Sequence, residues 1–284
     1  MSHSAPSGLH PRLRRTLNNW TSAWIRVGEQ TRFYSNTVGA MGSAVASYRG
    51  EVARLIAQMS LGTGALAVIG GTVVIIGFLT LSAGALIAVQ GYNSLAGIGV
   101  EALTGFISAY VNVRLIAPLV AGIGLAATIG AGATAQLGAM RINEEIDALE
   151  AMGVRSIAYL ASTRFIAGVI VVIPLYCIAV LMSFLAARFG TTAVYGQSVG
   201  VYDHYFRTFL NPTDLIWSFL QAVVMAAIVM LVHTYYGYTA SGGPAGVGEA
   251  VGRAVRTSLI SGVLVTLFVS LALYGQSGNL NFSG

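Results

Sequence analysis

Four carboxylates crowd into seven positions of this chain: Glu144, Glu145, Asp147 and Glu150, preceded by Arg141. Asn143 stands just before them and can cap a helix, its side chain accepting an orphan backbone N–H. Glu144 and Glu145 then occupy a first turn, where the helix dipole favours negative charge, and Gly153 is a natural stop at C′. Ile142, Ile146, Leu149 and Met152 fall on one side of that helix, and the acids on the others. Two readings are open. The apolar side packs on a larger body while the acids are solvated, or the acids meet basic residues of a docked partner. A second stretch with chemical promise is the Gly-rich run Ser241-Gly242-Gly243-Pro244-Ala245-Gly246-Val247-Gly248-Glu249. A phosphate cradle of the P-loop kind also needs the lysine of GxxxxGK[ST]. All 15 basic residues of this chain are arginine, so a P-loop and a Schiff base are both excluded. The run reads instead as a tight turn opening a helix on which Glu249 and Arg253 pair at i,i+4.

The remaining reactive side chains are sparse. None of the four histidines has Cys, Asp or Glu at a ligand spacing, so no metal is assigned. His233 sits in an apolar run, where a neutral imidazole bonded to a neighbouring helix is the expected state. Cys177 is the sole cysteine and reads as packing; alone, it excludes an internal disulfide. No Ser/His/Asp or paired-carboxylate arrangement marks a catalytic centre.

The elements that must position these residues belong to a membrane. Leu55 to Val100 is a run of 46 residues without a charge, whereas a spanning helix needs about 20 mostly apolar residues. Charged residues are 9% of the chain and hydrophobic ones 55%. The reading is an all-α polytopic protein with five spans near 61–89, 115–138, 157–187, 214–236 and 255–275. The acidic segment 143–152 lies between spans two and three. Residues 1–19 read as a disordered tail, 20–60 as interfacial helices, and 61–284 as one transmembrane domain. With the N-terminus cytoplasmic, eleven arginines fall inside and Arg114, Arg188 and Arg207 outside. The positive-inside rule therefore sets the C-terminus outside. It also accounts for the formal charge of +5 without a nucleic-acid partner.

Trp20, Trp24, Val27, Thr31, Tyr34, Val38 and Met41 alternate spacings of four and three, one face of a helix lying in the headgroup layer. Within the spans, Gly70, Gly77, Gly84 and Gly91 recur every seven residues. Gly122, Ala126, Gly130, Thr134 and Gly138 recur every four, as do Ser258, Gly262, Thr266 and Ser270. Such stripes let helix backbones approach closely. The span-two stripe is the candidate for packing within the bundle or between permease chains. Tyr195, Tyr202, Asp203, His204, Tyr205, Phe206, Arg207 and Phe209 form an aromatic outer segment, a belt or a surface for an extracytoplasmic partner.

Three motifs in this order resemble the MlaE/YrbE permeases. They are Val89-Gln90-Gly91-Tyr92 after span one, Glu144-Glu145-Ile146-Asp147-Ala148-Leu149 after span two, and the Gly-Gly-Pro loop at 242–244 before span five. The chain is most similar to the B-type YrbE subunit of actinobacterial Mce systems. The resemblance implies the permease half of an ABC lipid transporter, which has no catalytic residues of its own. ATP and magnesium belong to a cytosolic ATPase dimer docked on Arg141, Asn143, Glu144, Glu145, Asp147, Leu149 and Glu150. A second YrbE chain completes a heterodimer in the plasma (inner) membrane, and MCE proteins form a tunnel outside. The cargo is membrane lipid (fatty acids, mycolic-acid-like lipids or sterols), in the direction of import. Leu86, Val89, Gln90 and Tyr92 are the candidate lipid path. The family's Arg and Glu within span two are replaced by Ile129 and Gln136, and its Arg-Glu-Leu-Gly-Pro by Arg114-Leu115-Ile116-Ala117-Pro118. The competing reading is an ATP-independent secondary transporter or channel. It needs ionisable groups within the membrane, and Glu101, Arg164 and His233 are the few candidates.

Overall fold

The computed structural model describes residues 11–61 and 71–274. The first ten residues of the expected tail, the start of expected span one (62–70, with Gly70) and the tail from 275 lie outside them, as does the Trp20 side chain. Among the described residues the secondary structure is helical, with no strand. Hydrocarbon offers no water to pair with backbone N–H and C=O, so each charge-free run satisfies them internally as helix.

Three helices come first: α1 (Pro11–Gly39), α2 (Met41–Ser47) and α3 (Arg49–Leu61). Helix α1 begins nine residues before the expected boundary at 20, so residues 11–19 are helical rather than disordered. Five helices long and apolar enough to cross a membrane follow: α4 (Gly71–Ala96), α5 (Glu101–Ile142), α7 (Ile157–Val194), α9 (Pro212–Tyr238) and α10 (Gly243–Tyr274). Between them lie the short α6 (Glu145–Ala151) and α8 (Val199–Phe209). Spans two, three and five overrun their expected bounds, with charged residues such as Glu101, Arg188 and Glu249 continuing the helices beyond the apolar core. Helix α5 widens into π turns at Asn112–Ile116 and Ala126–Gly130. Asn211 caps α9, its Oδ1 accepting from Thr213 N at 2.9 Å, with Pro212 opening the first turn. The expected turn before span five is present: Gly242 and Gly243 take φ +91° and +70°, conformations glycine adopts without strain.

Helix α4 pairs extensively with α7, and α9 packs against α5, α7 and α10, most extensively against α5. The span-two stripe faces this interior. A Cβ at Gly130 would meet the His233 ring at 2.6 Å, and one at Gly138 the Val247 side chain at 2.9 Å. Gly122 abuts Met225, Ala126 is buried, and Thr134 bonds to His233. The stripe therefore serves the bundle version of its reading. Its surface is covered by α9 and α10 of the same chain, which corrects its assignment to permease–permease packing. Cys177 is likewise corrected: it faces outward from α7 rather than into the packing.

Arg32, Arg49, Arg54, Arg141, Arg155, Arg253 and Arg256 belong to one end of the bundle, with α1–α3 and α6. There Phe33 packs on Tyr235 and Tyr238 (ring centroids 5.6 and 5.3 Å), and Ser162 Oγ donates to Thr37 O at 2.7 Å. The other face of α1 exposes Trp24, Val27 and Val38, the apolar side expected to lie in headgroups. At the opposite end, α8 is pinned by Tyr202, whose hydroxyl donates to Ser108 Oγ at 2.8 Å. Burial pushes the Tyr202 phenol up to about 12.

Candidate functional site

Helix α6 hangs at the Arg-rich end between α5 and α7. Asn143 ends α5, its N–H still bonded back to Ala139 O at 3.1 Å. The residue that starts α6 is Glu144, in a left-handed conformation (φ 60°, ψ 14°) that reverses the chain. The expected Asn143 cap is thus corrected. Asn143 is spent on ending one helix, and its amide only grazes Glu145 Oε1 at 3.4 Å. The C-terminal expectation holds. Gly153 has φ +78°, its N–H bonds Glu150 O at 2.9 Å, and Val154 N–H bonds Leu149 O at 3.0 Å. Those two bonds form a Schellman motif.

A seven-residue helix is marginal alone. Ile146 holds this one, fully buried among Leu137 and Leu160, with Leu149, Met140, Tyr159 and Tyr238 packed around. Met152, expected on that stripe, is 70% exposed, because it lies past the last helical residue, where the chain turns at Gly153. The acids divide by fate. Asp147 pairs with Arg141 at 2.6 Å. Glu150 accepts from the hydroxyls of Ser156 and of Tyr238, the latter at 3.1 Å. Glu144 and Glu145 are exposed without an ion pair among the described residues. Of the seven docking candidates, then, these two carboxylates point to solvent, Arg141 and Asp147 neutralise each other, Asn143 is exposed beside them, and Leu149 and Glu150 secure the helix to the bundle. Nothing in the sequence pointed to Ser156 or Tyr238, which lie 6 and 88 residues from Glu150.

The lipid-path candidates separate onto different sides of α4. Leu86 and Gln90 line a groove of about 360 Å³ with Ile107 and Ile116. Val89 lines another of about 570 Å³ with Phe78, Leu185 and Phe189, an almost wholly apolar channel between α4 and α7. Tyr92 stacks on Tyr195 at 4.4 Å between ring centroids. A third groove, of about 370 Å³, carries Gln58, Thr72, Thr128 and Gln136 on its walls. Ile129, at the edge of that groove, is buried.

The spans hold two further polar links. His233 is buried with Nδ1 2.7 Å from Thr134 Oγ1 and Nε2 3.2 Å from Ser258 Oγ, joining α5, α9 and α10. This is the bonded histidine expected. Arg114, with its guanidinium over the Tyr110 ring, bonds Asp214 Oδ2 through Nη2 at 2.7 Å. That pair went unread because 100 residues separate its members; its signal was two opposite charges at the same end of different spans. Near the end of α7, Arg188 donates to both oxygens of Asp203 on α8 at 2.8 and 2.9 Å and holds that carboxyl below its ordinary range. Among the described residues no group of three His, Cys, Asp or Glu lies close enough to hold a metal.

The arrangement is a helical membrane body with a small acidic helix fixed to one end. The family model described as Permease MlaE matches residues 61–272. A probable ABC transporter permease protein of Rickettsia bellii is 29% identical over 205 residues, covering 68% of this chain and 76% of that protein. One of Rickettsia felis is 28% identical over 254 residues, covering 84% and 95%. The chloroplastic protein trigalactosyldiacylglycerol 1 of Arabidopsis thaliana is 29% identical over 195 residues, covering 68% of this chain and 55% of that protein. With three quarters of its length matched, all five spans and α6 included, the chain belongs to the MlaE family of ABC transporter permeases.

Proposed function

We propose that this chain is one permease half of a Mce-type lipid transporter, the B-type YrbE subunit, and that α6 is where a cytosolic ATPase docks. One observation carries the reading. Glu144 and Glu145 stand exposed on a helix whose other side is bolted to the bundle, so a basic partner surface gains both a charge contact and a rigid handle. The Arg-rich end is then cytoplasmic, with the N-terminus there and the C-terminus outside the plasma (inner) membrane. The partner ATPase dimer binds ATP and magnesium, and its closure carries α6 and shifts the spans between two packings. Lipid cargo is supported by the family and by the Arabidopsis relative, which is named for a glycolipid. Fatty acids, mycolic-acid-like lipids or sterols, moving inward, are the proposed class. A second YrbE chain pairs with this one through surfaces other than the inward-facing Gly122–Gly138 stripe, and the α8 end receives the MCE proteins. With Ile129 and Gln136 in place of charged residues, this half is the divergent copy. Equivalent span-two mutations should therefore impair transport unequally in the two halves.

The test is recovery of the tagged chain from its native membrane, intact and as Glu144→Arg/Glu145→Arg, with co-purifying proteins identified by mass spectrometry. A second permease, an ATPase and MCE proteins are expected with the intact chain, and only the ATPase is lost from the variant. An ATPase retained despite both charge reversals would refute the docking assignment.

A further inference from the structure

Helix α6 is covalently continuous with α5 and α7, yet its polar anchor reaches a third span. Glu150 Oε1 lies within hydrogen-bond reach of both Ser156 Oγ and Tyr238 OH, and those two hydroxyl oxygens lie 2.7 Å apart. Ser156 is nearly fully buried beside α6. Tyr238 is the last residue of α9. The two hydroxyls carry two protons for three close contacts. One proton must lie between the hydroxyls, since two oxygens at that distance repel without it. The other is donated to the carboxylate, so the chain of bonds ends on Glu150 in either direction. Tyr238 therefore joins α6 to α9 directly when it donates to Glu150, and through Ser156 when Ser156 does.

What lies behind Tyr238 is tightly fitted. A Cβ at Gly237 would meet Thr134 O at 2.9 Å and Leu137 Cβ at 2.8 Å, so α9 cannot slide freely against α5 there. One turn further on, His233 bonds Thr134 and Ser258. A displacement of the end of α9 is therefore delivered to α5 and α10 together.

We infer that Tyr238, through Glu150, is a positioning residue that passes movement of α6 into α9, and thence into the His233 contact with α10. The inference rests on α6 being the ATPase docking helix. Three variants separate the link from mere scaffolding. Tyr238→Phe keeps the ring against Phe33 and the Ile146 cluster, and keeps the Ser156–Glu150 bond, but removes the polar link between α6 and α9. Glu150→Ala cuts the same link from the other side, while buried Ile146 still seats α6. Ser156→Ala leaves the direct Tyr238–Glu150 bond in place.

The experiment is hydrogen–deuterium exchange on the complex purified from native membrane, with and without magnesium and a non-hydrolysable ATP analogue. In the intact complex, exchange at 143–152 and at 234–241 should both respond to nucleotide. In Tyr238→Phe and Glu150→Ala the response at 143–152 should persist while that at 234–241 weakens about tenfold, the equilibrium weight of one charge-assisted hydrogen bond. Ser156→Ala should resemble the intact complex. An undiminished response at 234–241 in both cutting variants overturns the inference. So does a Ser156→Ala effect as large as that of Tyr238→Phe, which would make the three residues a local scaffold. Failure of 143–152 to respond in the intact complex would instead refute the docking reading, and the link with it.

Discussion

Gly77, Gly84 and Gly91 are identical members of one seven-residue repeat, yet the structure gives them different surroundings. A Cβ on Gly84 would overlap the Ser183 carbonyl oxygen and lie 3.0 Å from both Ala186 Cβ and the Ser183 carbonyl carbon. Unstrained carbon pairs sit at about 3.5–4.0 Å, so Gly84→Ala must part α4 from α7 by at least about 0.5 Å. The obstructing atoms are backbone and a Cβ, which no rotamer change can clear. Overpacking of this kind costs about 1–3 kcal/mol. At roughly 2–4 °C per kcal/mol for a domain of about this size, the unfolding midpoint should fall by about 2–12 °C. A Cβ on Gly77 meets nothing within 4 Å, so Gly77→Ala should be neutral or stabilising by up to about 1 kcal/mol through helix propensity. At Gly91 the nearest atom, on Ile107, would be 3.6 Å away, and Ala should be tolerated. The assay is thermal unfolding of the three variants and the parent in one detergent, read by loss of the monodisperse peak on size exclusion. Equal destabilisation by Gly77→Ala and Gly84→Ala would mean that the repeat acts as one seam, and the described pairing of α4 with α7 would be wrong.

Other perturbations follow from the polar links. His233→Ala should lower stability by about 2–4 kcal/mol, from two lost interhelical bonds and the hollow left against Gly130; a His233→Phe variant as stable as the parent would show that the hydroxyl contacts contribute nothing. The Arg114–Asp214 pair, with side chains only 18% and 16% exposed, should show a coupling of about 1–2 kcal/mol in a double-mutant cycle with Arg114→Gln and Asp214→Asn, and additive effects would contradict the contact. Asp203 is held below its ordinary 3.8 by the hydrogen-bonded Arg188. Its contribution to stability is therefore complete above the unfolded value and fades as pH falls through the lower folded one. The difference in unfolding midpoint between the parent and Asp203→Asn should be constant from pH 7 to about 5 and shrink below about 4; a constant difference down to pH 3 would refute the pairing.

The spans and α6 were legible because each rests on a one-dimensional pattern. Charge-free runs and a buried Ile146 flanked by acids need no knowledge of neighbours. What a face meets is not written in its own residues. The Gly122–Gly138 stripe announced close packing but not that α9 and α10 supply the other side. Arg114 finds Asp214, and Glu150 finds Tyr238, across 100 and 88 residues, separations over which no spacing rule acts. The cap at 143 failed for a different reason. Asn143 suits both the end of α5 and the start of α6, and the geometry of the reversal, with Glu144 at φ 60°, decided between them.

The span-two stripe also explains why α5 is not a plain α-helix. An α-helix turns about 100° per residue, so residues every four positions drift by about 40° at each step. From Gly122 to Gly138 that amounts to about 160°, enough to carry one end of the stripe to the far side. Gly122, Gly130 and Gly138 nevertheless all back onto α9, α10 or the turn between them. The π turn at Ala126–Gly130 accommodates one extra residue and takes back about 100° of the drift. In α10, where no π turn intervenes, the similar stripe stays buried through Ser258, Gly262 and Thr266, and Ser270 is half-exposed. The π turn thus keeps the longer α5 stripe, five members from Gly122 to Gly138, on one side of the helix. The consequence reaches α6, which follows α5 after two residues. Without the widened turn, Arg141 and all of α6 would swing about 100° around the bundle, taking Ile146 from its socket and Glu150 away from Tyr238. The direction in which Glu144 and Glu145 point is set about three turns up the span, by a glycine-containing bulge with no charge of its own.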